Sequence, residues 1–425
     1  MMRILAFSHG LWYGGAQVSF LNYLKLLRGI NDVSIDVVIC ENANEGFVKD
    51  LSSLNINTLR VPCSLYQNLP LMDINSIGHI LRNYDLYWIT DIEYLISTKL
   101  KNEYNKPIIA HLHSYALICP WWALSYGLRE TCLVNCRNNY IRFLSCKIMR
   151  NSVRSEIENY NYNMAKKAIT IIKSPLDFIT YRNFYNEQVY KAIKAIDGFI
   201  AVSAQVRDLH IIHEPLFKEK QIEVIYNPVI IPEEYIKYSL NYLSNNNDKV
   251  ILYASGFQAA KGIHILLEAF KEVARYYSKA RLFITRGLND QSLIKLINKY
   301  GLNIGNEVIL LGNLSRDELY KAYARSSIVA MPSIWPEPFG NVALESNYIG
   351  IPVIASDIGG LKEIIINGTT GLLVRPNDPL ALAEGLIKAL SISWDRQRIH
   401  EITASRFNSK RSIEKFLSFL NSFIR

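Results

Sequence analysis

Hydrophobic positions along the chain fall into two alternating rhythms. Short apolar runs of strand length occupy 3–8, 33–39, 86–90, 107–112 and 198–203, and between them apolar residues recur at helical spacing, as at 16–28 and 153–172. The rhythm then starts again, with strand-like runs at 249–254, 281–285, 307–311, 328–331 and 352–355 and helical stretches near 262–277, 290–300, 315–326 and 379–390. Such alternation predicts parallel sheets covered by helices. Between the halves, "SLNYLSNNNDK" (239–249) is polar and Asn-rich, and it follows "VIYNPVIIPEE", where two prolines disfavour helix. The expected boundary lies near 229–248. The predicted fold is α/β, with two Rossmann-like doubly wound domains facing across a cleft, over 1–228 and 229–402. Residues 403–425 keep helical spacing through Phe407, Phe416, Leu417, Leu420 and Phe423 but have no sheet of their own, so they are expected to pack back on the domains. Ligands of doubly wound sheets bind at the carboxyl ends of the strands, which makes the cleft the expected site.

Composition adds limits. A chain of 425 residues, 49% hydrophobic and 20% charged, is a folded protein of more than one domain. No apolar run reaches the roughly 18 to 20 residues of a spanning helix. The start, "MMRILAFS", runs straight into a strand without a basic leader or cleavage site, so a cytoplasmic location is expected. The net charge of +9 suits an anionic ligand, an anionic membrane surface or nucleic acid, and equally a merely solvated basic surface. Four of the six cysteines, Cys119, Cys132, Cys136 and Cys146, fall in one short region, and no disulfide framework is expected. Their C-x12-C-x3-C-x9-C spacing allows a structural zinc or a set of buried thiols.

The chemistry concentrates in "SIWPEPFGNVALES" (333–346). Pro336 and Pro338 bar a helix before about residue 339, Asn341 is a good N-cap, and the helix that follows stops at Gly350. Glu337 therefore sits in the preceding loop and Glu345 about one turn into the helix. The N–H groups at Gly340 and Val342 point out of a helix start, which favours an anion. Carboxylates accept two O–H bonds each and so suit vicinal hydroxyls. Phosphate donors between two hydroxyl acceptors fit a nucleotide sugar. Alternatively, Glu345 only complements the helix dipole and Glu337 is solvated. Lys261 and Gly262 lie at another strand-to-helix junction, where a lysine can neutralise a diphosphate, and Gly359–Gly360 allow tight backbone approach after a further strand.

These stretches, with "GGAQVSFLNYL" (14–24), "HLHSYALICP" (111–120), "IAVSAQV" (200–206), "VIYNPV" (224–229) and "GIPVIASDIGGLKEIIINGTTGLLV" (350–374), resemble glycosyltransferase family 4, whose fold is GT-B. The resemblance covers most of the chain and is strongest over about 249–390. It implies a retaining hexosyltransferase that uses a nucleoside-diphosphate sugar and needs no metal for catalysis. Lys261 matches the lysine on the donor phosphates, Glu345 the ribose-binding glutamate, and Glu337 the glutamate on a sugar hydroxyl. Phe339, Gly340, Asn341 and Val342 match the backbone donors near sugar and diphosphate. One departure stands out: the usual arginine before the lysine is absent from "ASGFQAAKG", where Gly256 or Phe257 takes its place. Arg286 and Lys362 are candidate substitutes.

In the first half, Gly14 and Gly15 join the first strand to the first helix, either as an ordinary turn or as a loop open to a ligand. The resemblance places them at the cleft. Alternation puts His111 and His113 on one face, and the resemblance singles out His113 as the histidine beside the transferred sugar. An insertion at about 115–150 carries the cysteines. The first domain is expected to bind the acceptor, a glycan or lipid-linked hydroxyl compound such as serves polysaccharide and cell-envelope synthesis. Its basic, aromatic character is compatible with peripheral contact at the inner face of an anionic membrane, although no clean amphipathic anchor is legible. Two other readings stand beside transfer. One is a sugar-nucleotide epimerase or a sucrose- or trehalose-type synthase on the same fold. The other is a non-catalytic binder of sugar nucleotides or nucleic acid, and no nucleic-acid motif is visible.

Overall fold

Runs such as Leu86–Ile89 and Ile108–Leu112 are buried at every position, so both faces of each strand must be covered. In the structure, a computed structural model that describes residues 1–66, 69–90, 92–158, 162–241, 249–285 and 288–424, these runs form two sheets. The first contains seven strands among the described residues, in the order Gln221–Val224, Gly198–Ala201, Ile108–Leu112, Leu86–Ile89, Met2–Phe7, Val33–Cys40 and Thr58–Val61. The second contains six, in the order Val308–Gly312, Ala280–Thr285, Lys249–Tyr253, Ile328–Met331, Val353–Ser356 and Gly371–Val374. All pairings within both are parallel.

Every strand expected from the hydrophobic pattern forms. Thr58–Val61, Gln221–Val224 and Gly371–Val374 were not expected, and all three are short edge strands with a partly exposed face. The single helix expected over 153–172 is replaced by two, Tyr140–Ile157 and Met164–Phe184. Its apolar spacing runs through Asn163, but the Asn163 side chain accepts from the Lys166 N–H and so starts a new helix.

The end of the chain ties the domains together. Helix Arg396–Arg406 stays on the second domain, where the Arg396 guanidinium donates to the carbonyls of Ala324 and Ser326 at 2.9 Å each. Helix Ser409–Asn421 crosses back to the first. Its Phe416 ring lies 4.9 Å from Tyr23 and 4.8 Å from Trp88, in the core beneath helix Gly15–Leu27.

Cysteine usage differs from expectation. Cys40 and Cys63, at the end of one strand and the start of another, have Cα atoms 5.4 Å apart and form a disulfide. The expected absence of a disulfide framework thus misses one local bridge, which proximity in the fold creates and sequence spacing does not show. Cys119, Cys132, Cys136 and Cys146 are reduced and gather in one neighbourhood, but the zinc reading is not supported. Among the described residues no group of three or more His, Cys, Asp or Glu side chains is placed to hold a metal ion. The sulfurs are instead engaged one by one with nearby backbone: Cys132 Sγ with the Val134 carbonyl at 3.3 Å, and Cys146 Sγ with the Gly127 N–H at 3.4 Å. Burial pushes the Cys119 thiol up to about 12 and raises Cys136 and Cys146 as well, so these groups stay neutral.

Candidate active site

The carboxyl ends of both sheets open onto one cleft of about 700 Å³ between the domains. Gly14, Gly15 and His113 line it from the first domain, and Lys261, Glu337, Phe339, Gly340, Asn341, Val342 and Glu345 from the second. Arg286 lies outside the described residues. Lys362 does not line the cleft; it sits half-exposed, 3.6 Å from Asp357.

Glu337 is buried, and its placement begins with the two prolines that keep 336–338 out of a helix. Its Oε1 accepts from Lys261 Nζ at 2.7 Å, Ser333 Oγ at 2.7 Å and Trp335 Nε1 at 2.8 Å, while Oε2 accepts from Lys261 at 3.0 Å. The lysine also lies 4.6 Å from the centre of the Trp335 ring. Beneath the loop lie Gly359 and Gly360. A Cβ on Gly359 would fall 2.4 Å from the Glu337 nitrogen, and one on Gly360 2.7 Å from the Phe339 Cα. The Gly360 N–H donates to the Glu337 carbonyl at 2.7 Å. The close approach expected of this glycine pair is therefore made to the Glu337 loop.

Glu345 is equally buried but has a partner that the sequence reading missed. Arg316, at the start of helix Arg316–Arg325, reaches its Oε1 at 2.5 Å and Oε2 at 3.5 Å, and Tyr323 donates to Oε2 at 3.3 Å. Burial opposes the Arg316 charge, but the Glu345 carboxylate together with Tyr320 and Tyr323 raises the guanidinium pKa on balance. Burial, with Glu345 second, raises the Tyr323 pKa, so that phenol remains a donor. A sequence signal for Arg316 existed. "SRDE" (315–318) is a capping box, which fixes a helix start at the carboxyl end of a strand and places Arg316 in its first turn.

Gly340, not Asn341, caps helix Asn341–Ile349, in a left-handed conformation with φ of +110°. Asn341 instead turns toward the first domain. Its Nδ2 donates to the Gly15 carbonyl and to Ser19 Oγ, both at 2.9 Å, and its Oδ1 accepts from Asn227 at 2.9 Å. Below His113, the His111 ring is fully buried with its centre 4.3 Å away. Burial first, and His113 second, hold His111 well below the ordinary histidine pKa, so it is neutral. The histidine pair thus divides into one core ring and one cleft ring. Sequence reasoning also missed Tyr13, which lines the cleft and donates to Asp50, and the buried His9 and Glu93, with the His9 N–H donating to Glu93 Oε1 beneath the glycine loop.

Residues 236–406 match the family described as glycosyl transferases group 1. The matched span lies in the second half of the chain, which is thus similar to that family. The matched span contains Lys261, Arg316, Glu337 and Glu345, whereas Gly14, Gly15 and His113 lie outside it. An uncharacterized glycosyltransferase of Methanocaldococcus jannaschii is 32% identical over 181 residues, covering 41% of this chain and 46% of that protein. The lipopolysaccharide 1,2-N-acetylglucosaminetransferase of Salmonella typhimurium is 30% identical over 190 residues, covering 43% and 49%. The chain thus spans about half the length of these curated relatives. Among solved structures, Anabaena HepE in complex with UDP-glucose superposes with a TM-score of 0.66 at 18% identity, covering 99% of this chain and all of that one. The two domains together form the GT-B fold.

Proposed function

We propose that the protein transfers a hexosyl group from a nucleoside-diphosphate sugar to a hydroxyl of a glycan or lipid-linked acceptor, with retention at the anomeric carbon. The observation that carries this reading is the pair of buried carboxylates, each held by a cation, at the Gly340 helix start inside one cleft. The N–H groups at that start and the Lys261 ammonium take the diphosphate. The ammonium has three N–H donors, and the two aimed at Glu337 leave the third for a phosphate oxygen. Glu345 accepts the ribose hydroxyls while Arg316 and Tyr323 hold it in place. Glu337 accepts a sugar hydroxyl, and His113 bounds the sugar on the opposite wall. Cation and helix start together stabilise the charge that develops on the leaving diphosphate. The HepE complex makes UDP-glucose the first donor to test.

The test is a thermal-shift panel of nucleoside-diphosphate sugars on the wild type and on Glu345→Ala. A true donor at a hundredfold excess over its Kd stabilises the fold by roughly 2.7 kcal/mol. One sugar nucleotide should raise the wild-type Tm, and the variant should lose that response. A wild type that responds to none of them overturns the reading. Product anomeric configuration, read by NMR coupling constants, tests retention separately.

A further inference from the structure

Helix Met164–Phe184 presents an apolar face to solvent. Its packed side is formed by Ser174, Phe178 and Tyr181. The Phe178 and Tyr181 rings lie 5.5 and 5.7 Å from Phe143, on helix Tyr140–Ile157. At 3.6 residues per turn the opposite side collects Ala165, Ala168, Ile169, Ile172, Pro175, Leu176 and Ile179. Each of these seven is exposed, Ile172 by 76% and Leu176 by 68%. A stripe of large aliphatic side chains directly away from the core contributes nothing to folding and calls for a partner.

The charges beside it identify that partner. Lys166, Lys167 and Lys173 are exposed in the same turns, and no acid occurs from Met164 to Leu176. The next residue, Asp177, is engaged by Lys147. A second copy of the chain docked on this stripe would set lysines against lysines. An anionic lipid surface accepts both features, with aliphatic side chains in the acyl boundary and ammonium groups at the headgroups. We propose that helix Met164–Phe184 lies on an anionic membrane with Ile169, Ile172, Leu176 and Ile179 inserted. The sequence shows no clean anchor because its apolar spacing continues onto the packed side, and only the fold separates the two faces.

The placement extends the transferase reading. Leu176 and Thr180 of this helix also line a second cavity of about 290 Å³ with Trp121 and Trp122, and the Trp122 ring lies 5.9 Å from Trp12, in the loop leading to Gly14 at the main cleft. A lipid-linked acceptor would thus reach the cleft from the bilayer side. The docking itself can be tested without transfer. In flotation with vesicles, the wild type should rise with phosphatidylcholine containing phosphatidylglycerol, less with phosphatidylcholine alone, and less at high salt. Ile172→Glu combined with Leu176→Glu should reduce partitioning by about tenfold or more. Replacing the three lysines by glutamine should reduce it by roughly fivefold per charge, about a hundredfold in all, and these surface substitutions report even where the double variant folds poorly. Sugar-nucleotide thermal shifts should be unaltered in both, which separates failure of docking from failure of the donor reading. A wild type that stays down with anionic vesicles, variants that float like wild type, or a solution dimer abolished by the same variants would each overturn the proposal.

Discussion

Arg316 and Glu345 form a pair whose two members are not equivalent. The Glu345 side chain is 7% exposed and that of Arg316 35%, so removing the arginine leaves a buried carboxylate with Tyr323 as its remaining donor among the contacts described above. Arg316→Ala is expected to cost roughly 1–3 kcal/mol of stability, with the lower figure favoured because solvent reaches the guanidinium. Glu345→Gln keeps the volume and should cost less. Both variants should weaken the donor by about ten- to hundredfold, the equivalent of one or two charge-assisted hydrogen bonds. Denaturant titration and isothermal titration with the donor read the two effects apart. At Lys261 the expectation differs, because in the proposed reaction its charge matters most as the diphosphate leaves. Lys261→Ala should lower kcat by about 10²–10³, with a smaller change in KM, and equal losses in binding and turnover would assign the lysine to ground-state binding.

At the scale of elements, the Glu337 loop rests on the backbone of Gly359 and Gly360. Gly359 has φ of +60° and no space for a Cβ, so Gly359→Ala should destabilise the fold by roughly 1–3 kcal/mol and lower transfer through displaced Glu337. A Gly256→Ala control, where a Cβ meets nothing within 4 Å, should leave the melting temperature unchanged. Helix Ala204–His213 supplies a pH test. Burial, opposed by a bond to the Val206 carbonyl, lowers His210 from 6.5 to about 4. Between those values the unfolded chain takes up a proton that the native state refuses. Stability is therefore constant above pH 6.5 and falls by about 1.4 kcal/mol per pH unit for this group as the pH drops toward 4. His264, also lowered to about 4 by burial, adds to the slope, and His210→Gln should flatten it in a series of melting curves. Much of this level was legible in the sequence. Interior strands such as Ile328–Met331 announce themselves because both faces are buried, whereas edge strands such as Gln221–Val224 carry a mixed pattern. The glutamate pair was legible because proline and helix signals flank it. Arg316 and the turned Asn341 side chain were not, since their partners are set by tertiary placement.

Across the whole molecule, two chain crossings and a ring of polar contacts hold the domains around the cleft. The crossings touch each other, with Ser409 Oγ donating to the Val229 carbonyl at 2.7 Å and accepting from the Val229 N–H at 3.0 Å. On the far side, Ser203 Oγ donates to the Pro338 carbonyl at 2.6 Å. The Glu363 carboxylate reaches across to the start of helix Ala204–His213, accepting from the Ala204 and Gln205 N–H groups at 3.0 and 2.9 Å. A carboxylate from one domain thus satisfies the positive end of a helix in the other. No local periodicity reveals such a contact, because its halves lie 158 and 159 positions apart. Its role follows from its place. Glu363 is not in the cleft lining, yet it bonds the element that also holds Pro338, next to Glu337. Removing it should therefore change how often the cleft is closed more than what the closed cleft does. Glu363→Ala is expected to increase the radius of gyration of the ligand-free protein in small-angle scattering. Only the closed fraction binds productively, so donor KM should rise by less than about tenfold, with kcat near that of the wild type. Saturating donor should restore the compact radius. An unchanged radius and KM would mean that the crossings at Val229 and Ser409 fix the domains by themselves, and a fall in kcat alone would place Glu363 in the chemistry of the Glu337 loop.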